Sequence, residues 1–171
     1  MPWLTQTLAD PLTDAEVLRH GRYGVIDVRG GRLAAIHLRR WPKIISALEI
    51  QWRGERAHRQ RPGDRCLLYY NQPRRHSNFL ALKYVVSHRD CTFATFHRAL
   101  EVLDELARLK GTDALLCDVW NGRISDRLLA RWGWQPHHPR SWHRHYIKRF
   151  YGVYPAPRPD VLAHVATVDA C

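Results

Sequence analysis

The sequence is short of lysine, methionine and acidic residues. Of its 171 residues only four are Lys (43, 83, 110 and 148) and one is Met, and 16 Asp+Glu stand against 27 Lys+Arg. Its four cysteines, Cys66, Cys91, Cys117 and Cys171, show no CxxC spacing, which excludes a zinc ribbon or a thioredoxin-like motif. No run approaches the roughly 18–20 apolar residues that span a bilayer, so no membrane segment is expected. The N-terminal stretch MPWLTQTLADPLTD has no charged leader region and no long apolar core, so a secretory signal is not expected either. Internal repeats and low-complexity tracts are absent. These features point to a soluble, cytoplasmic protein with reduced thiols.

What is present is an ordinary core and an arginine surplus. Hydrophobic residues make up 45% and charged residues 25%, which excludes a disordered chain and fits one domain. The net charge is +11, carried almost wholly by Arg, whose planar fork suits phosphates and aromatic stacking. The partners this favours are polyanions: nucleic acid, phosphate-bearing cofactors or acidic proteins.

Along the chain, Thr13–Glu16 reads as a capping box opening a short helix that stops at Gly21. Tyr23–Arg29 and Arg32–Leu38 flank Gly30-Gly31 and predict a β-hairpin. Ile44–Trp52 is ambiguous between helix and strand, and 53–65 reads as a basic loop. Cys66–Tyr70 and Phe79–Val86 predict strands. Phe96, Leu100, Leu103 and Leu106 recur at helical spacing and predict a helix over Phe93–Lys110, with an Asp104–Arg108 pair, solvated carboxylates and a stop at Gly111. Ala114–Trp120 predicts a strand, Arg123–Trp132 a short helix and Trp142–Phe150 a last strand. The fold class is therefore α/β (α+β): a single domain with a mixed, mostly antiparallel sheet flanked by helices. The domain is expected over residues 1–154. The Pro-rich segment 155–171 reads as a tail.

The order strand, turn, long helix, strand, short helix, Gly-aromatic pair and last strand over residues 80–150 resembles the GNAT superfamily of N-acetyltransferases. The run NGRISDRLLARWGW resembles it most. The resemblance covers a little under half of the chain. It implies an acetyltransferase-like fold with a V-shaped splay between Phe79–Val86 and Ala114–Trp120. It also implies acetyl-CoA as donor, an amine as acceptor, and a CoA-type ligand held by Val86, Arg89, Thr92, Phe93, Ala94 and Asn121. The family's turn reads Gln/Arg-x-x-Gly-x-Gly/Ala. Here Arg89-Asp90-Cys91-Thr92-Phe93-Ala94 keeps the first and last positions and replaces the central Gly by Thr92. Such a turn presents backbone N–H groups to a pyrophosphate at a helix N-terminus. A β-branched residue hinders that approach, and Thr92 reads equally as the N-cap of the long helix.

Acetyl transfer also needs a base for the acceptor and an acid for the leaving thiolate. Asp118, near the C-terminal end of its strand, is the candidate base; an ion pair with a neighbouring Arg is its structural alternative. The family's acid, a Tyr in the short helix, is replaced by Leu129, leaving Tyr84, Tyr146 and Tyr151 as candidates by residue type, with Tyr84 the one taken. His137, His138, His143 and His145 lie close together. They lack a nearby Cys or paired carboxylates, and Arg140 and Arg144 repel cations, so no metal site is expected.

The surplus charge is concentrated. Residues 39–75 hold ten Lys/Arg and three acids, and residues 119–159 hold eight Lys/Arg and one acid. Trp41, Trp52, Trp132, Trp134 and Trp142 are interleaved with them. Arg with aromatics suits single-stranded nucleic acid, so the alternative reading is a non-catalytic protein of the same fold that binds nucleic acid or another polyanion.

Overall fold

The computed structural model describes residues 4–8, 14–40, 63–119, 124–137, 144–156 and 159–162. The strands are β1 (Leu4–Leu8), β2 (Tyr23–Arg29), β3 (Arg32–Arg39), β4 (Arg65–Asn71), β5 (Phe79–Ser87), β6 (Ala114–Val119), β7 (Gln135–Pro136) and β8 (Arg144–Arg149). The helices are α1 (Ala15–His20), α2 (Phe93–Lys110), α3 (Asp126–Arg131) and α4 (Pro159–Leu162). The eight strands form one sheet in the order β1-β3-β2-β4-β5-β6-β8-β7. Among the described strands only β5 and β6 pair in parallel. The mixed, mostly antiparallel sheet flanked by helices is the one expected.

Local chemistry explains the elements. The hairpin β2–β3 turns on Gly30 (φ 53) and Gly31 (φ 73), the paired left-handed residues that a two-residue hairpin loop requires. Helix α2 starts at Thr92, whose Oγ1 accepts from the Thr95 N–H, and ends at Gly111 in the left-handed region (φ 62). Its apolar stripe, including Val102, Leu103 and Leu106, is buried with Ile26, Val28, Leu68 and Leu115 of the sheet. Helix α3 is capped by Ser125, whose Oγ accepts from the Leu128 N–H at 3.2 Å.

Several expectations change. The Asp104–Arg108 pair is not made. Asp104 lies on the flank of α2 that meets β8 and accepts from Lys148 Nζ at 2.6 Å, while Arg108 donates Nε to Glu105 Oε1 at 2.8 Å. Asp104 and Glu105 are thus largely buried rather than solvated. At the start of α1, Asp14 occupies the N-cap without a side-chain bond, and Thr13 lies outside the described residues. The short helix begins at Asp126, not Arg123, and the last strand covers Arg144–Arg149. The ambiguous segment 44–52 and the loop 53–62 lie outside the described residues. Strands β1 and β7 were not anticipated; both lie at the ends of the sheet, where short strands carry little pattern. Nor does the core stop at residue 154. Val161 and Leu162 of α4 are buried in the central cluster with α2 and β3 residues.

One irregularity positions the site. The parallel ladder between β5 and β6 runs only from Phe79↔Ala114 to Leu82↔Cys117. At that point Tyr70 of β4 pairs with Leu82 while the adjacent Tyr69 pairs with Tyr84, so Lys83 is an extra residue in β5. A bulge bends its strand and increases its twist. Beyond it β5 follows β4 as far as Ser87, and β6 follows β8 as far as Val119↔Arg144. The two central strands part, forming the V-shaped splay.

Candidate functional site

A cleft of about 570 Å³ fills the splay. Tyr84, Val85 and Ser87 of β5 form one wall and Cys117, Asp118 and Val119 of β6 the other, and the N-terminal turns of α2 and the buried Leu129 and Trp134 close it. A second hollow, of about 680 Å³, adjoins the first. The two share Leu82, Lys83, Cys117 and Asp118, the residues at the point where the strands part. No residue of α2 or α3 lines the second hollow; His137, His145 and Tyr146 do.

The strand alternation assigns roles at this junction. Leu115 and Cys117 belong to the core, so Leu116 and Asp118 project from the other face of β6. Asp118 pairs with His145 in the β6–β8 ladder, and its Oδ1 stands 3.7 Å from His145 Nδ1. Among the described residues the imidazole of His145 is thus one ionisable neighbour of Asp118. The His137 N–H donates to the His145 carbonyl at 2.8 Å, which anchors that stretch of β8. Burial, assisted by the Asp118 charge, pushes the Cys117 thiol up to about 12, so it stays protonated. Among the described residues no group of three or more His, Cys, Asp or Glu side chains is placed to hold a metal; His138 and His143 lie outside them.

Of the residues singled out from the sequence, Asp118, Tyr84, Arg89, Thr92 and Phe93 line the cleft. Val86 and Ala94 do not, and Asn121 lies outside the described residues. The Tyr84 hydroxyl is buried, and its ring stacks on Tyr69 with centroids 4.0 Å apart. At the rim, Phe93 is 57% exposed and packs on Trp132, which also meets Phe96 and His97. The sequence places His145 in a histidine cluster but gives no site role to Lys83, Asp64 or Cys91. The pairing of His145 with Asp118 becomes visible only once the cross-strand register is known.

The turn between β5 and α2 departs furthest from expectation. Asp64, at the start of β4, reaches the N-terminus of α2. Its Oδ1 accepts from the Thr92 N–H at 2.7 Å and its Oδ2 from the Thr92 hydroxyl at 2.9 Å. Burial opposes its charge, but hydrogen bonds from Thr92 and Thr95 outweigh this and hold the carboxyl below its usual range. A second carboxylate, Asp90, accepts from the Gly63 N–H at 3.0 Å, binding the turn to the chain that carries Asp64. Beside it, Cys91 Sγ donates to the Thr92 carbonyl at 3.7 Å. The neighbouring Cys66 thiol lowers that of Cys91, and Cys91 together with burial raises that of Cys66.

Three cations of the second basic segment are engaged internally. Arg144 pairs with Asp126 at 2.8 Å, Lys148 with Asp104, and Arg149 donates to Gln135 Oε1 at 2.8 Å. Most of the first basic segment, residues 41–62, lies outside the described residues. No described helix is long and apolar enough to cross a membrane.

No known family's sequence profile matches the chain, and no curated protein matches it. Among solved structures it is similar to an acetyltransferase of the GNAT family from Listeria monocytogenes 4b F2365, at 10% identity and a TM-score of 0.40, over 49% of this chain and 56% of that one. The chain thus spans little more than half the length of that protein. It is also similar to nourseothricin acetyltransferase, at 14% identity and a TM-score of 0.40, over 84% of this chain and 97% of that one.

Proposed function

We propose that the protein is an acyltransferase that moves an acetyl group from a CoA-type thioester to an amine. The observation that carries this reading is the junction of the two hollows at Leu82, Lys83, Cys117 and Asp118. A group-transfer enzyme must bring two substrates to one point from separate approaches, and a notch in the sheet with a hollow on either side of it supplies that arrangement.

The cleft beside α2 is the donor side. Its walls of Val85, Phe96, Leu100 and Leu129 suit the slender, largely apolar pantetheine arm and its thioester. The nucleotide diphosphate does not fit the turn in the same way, because Asp64 already holds the Thr92 N–H. The hollow lined by His137 and His145 is the acceptor side.

The proton chemistry falls to this chain's own residues. Asp118 and His145 form an acid–base pair at the junction, where the carboxylate orients the ring and the imidazole takes the proton from the acceptor ammonium. With Leu129 in the short helix, the buried Tyr84 hydroxyl is the cleft's tyrosine donor for the departing sulfur. Lys83, at the bulge, places a positive charge beside the junction.

The test is calorimetric titration with acetyl-CoA and with the shorter acetyl-pantetheine, followed by thiol release with a panel of primary amines. The expected result is binding of at least one thioester and amine-dependent release that Asp118→Asn lowers at least about a hundredfold. If neither thioester binds at millimolar concentration, the reading is overturned.

A further inference from the structure

We infer that Asp64 is a built-in anion that keeps the donor's diphosphate out of the turn before α2, so that the protein selects its donor by the pantetheine thioester end. This rests on the acyltransfer reading above.

The position matters because a helix N-terminus favours one negative group and offers few N–H donors. In this turn the Cys91 N–H is committed to the His88 carbonyl at 3.2 Å and the Thr95 N–H to Thr92 Oγ1 at 3.2 Å. The Thr92 N–H and hydroxyl both go to Asp64. Among the described residues the N–H groups of Arg89, Asp90, Phe93 and Ala94 stay open, but that of Thr92, at the centre of the turn where the family has its glycine, is taken. A diphosphate seated there would meet an ionised Asp64 at the same dipole end, with Asp90 held nearby. Like charges so placed repel, and Arg89 is the arginine that lines the cleft beside them.

The carboxylate is fixed, not incidental. The Asp64 carbonyl accepts from the Gly30 N–H at 2.9 Å, which ties its backbone to the β2–β3 hairpin. The same hairpin is held from the other side, since Thr95 Oγ1 accepts from the Gly31 N–H at 2.7 Å. The side chain is therefore presented to the turn by two anchored strands. Thr92 completes the device: its hydroxyl supplies the second bond to Asp64, which the family's glycine lacks. The departure from the family's turn and the presence of Asp64 are thus one feature.

The experiment measures dissociation constants of acetyl-pantetheine, acetyl-CoA and 3′-phospho-ADP, the nucleotide half of CoA, for wild type, Asp64→Ala and Asp64→Asn. Circular dichroism and thermal melting first establish that each variant is folded, and Asp64→Asn keeps an acceptor for Thr92 if Asp64→Ala fails. The wild type is expected to bind the two thioesters within about threefold of each other and to bind 3′-phospho-ADP not at all. Removal of the charge is expected to tighten acetyl-CoA at least tenfold, to create binding of 3′-phospho-ADP, and to leave acetyl-pantetheine unchanged. A wild type that binds acetyl-CoA more than tenfold tighter than acetyl-pantetheine overturns the inference. So does an unchanged ratio in both variants. Failure of every thioester to bind every variant overturns the acyltransfer reading instead.

Discussion

Arg65 holds Asp27 with both arms: Nε donates to Oδ1 at 2.8 Å and Nη2 to Oδ2 at 2.7 Å. Asp27 lies in the middle of β2, is 1% exposed, and also accepts from Arg29 Nη2 at 2.9 Å. Burial works against its charge, but the bonds from His37, Arg65 and Arg29 prevail and hold the carboxyl far below the ordinary carboxylate range. The folded value is therefore below the unfolded one. The resulting stabilisation is complete above about pH 4, the unfolded value, and is lost as pH falls below it. Urea midpoints measured as a function of pH should fall steeply on the acid side in wild type. In Asp27→Asn that acid limb should flatten. Arg65→Leu, which removes the two-armed partner of a buried carboxylate and leaves it Arg29 and His37, should cost on the order of 3 kcal/mol at neutral pH. An unchanged acid limb in Asp27→Asn would contradict this.

Thr95 joins two elements through one hydroxyl. It is fully buried, accepts from the Gly31 N–H, and stands 3.1 Å from Thr92 Oγ1. Thr95→Val keeps the shape and leaves the Gly31 N–H without its acceptor. A loss of roughly 1–3 kcal/mol is expected from denaturant unfolding. Thr95→Ser, which keeps the hydroxyl, should recover most of it.

The cysteines differ in reactivity for stated reasons. The neighbouring Cys66 thiol lowers the Cys91 thiol, which is partly exposed on the cleft wall, whereas burial raises Cys117. Timed iodoacetamide labelling with peptide mapping should find Cys91 modified well before Cys66 and Cys117 in the folded protein. Equal rates for Cys91 and Cys117 would rule out this ordering. Cys66→Ala should slow Cys91, because it removes the neighbouring thiol that favours the thiolate.

Leu162 tests where the domain ends. It is 1% exposed within the core, beyond the expected boundary at residue 154. Leu162→Ala should destabilise by about 2–5 kcal/mol, the range for a buried leucine. A shift within error in the melting temperature would return the segment to the role of a tail.

The sequence made the periodic elements legible and left the site half hidden, for physical reasons. Helix α2 was readable end to end because its stripe, Thr92 cap and Gly111 stop all report on local chemistry. The hairpin was readable because paired glycines leave few alternatives. By contrast, Asp104 looked like a partner for Arg108 because spacing along a helix is visible and the approach of Lys148 from β8 is not. Asp118 could be found from its place near a strand end, yet its partner His145 is fixed by register across the sheet. Asp64 sat in what read as a turn of a basic loop; its reach to Thr92, across 28 positions of sequence, is a tertiary fact. The charge count was correct but misleading about availability, since Arg144 and Lys148 are already paired with carboxylates.

The bulge at Lys83 also sets a trade between rigidity and use. The parallel ladder stops there after four pairs, so beyond it β5 and β6 no longer bond to each other as they would in a continuous sheet. Deleting Lys83 would restore the register of β5 against β4 and let the central ladder run on. Such a protein should melt at a higher temperature and bind no thioester. The weakest seam of the sheet is the part that makes room for chemistry, and selection for stability alone would close it.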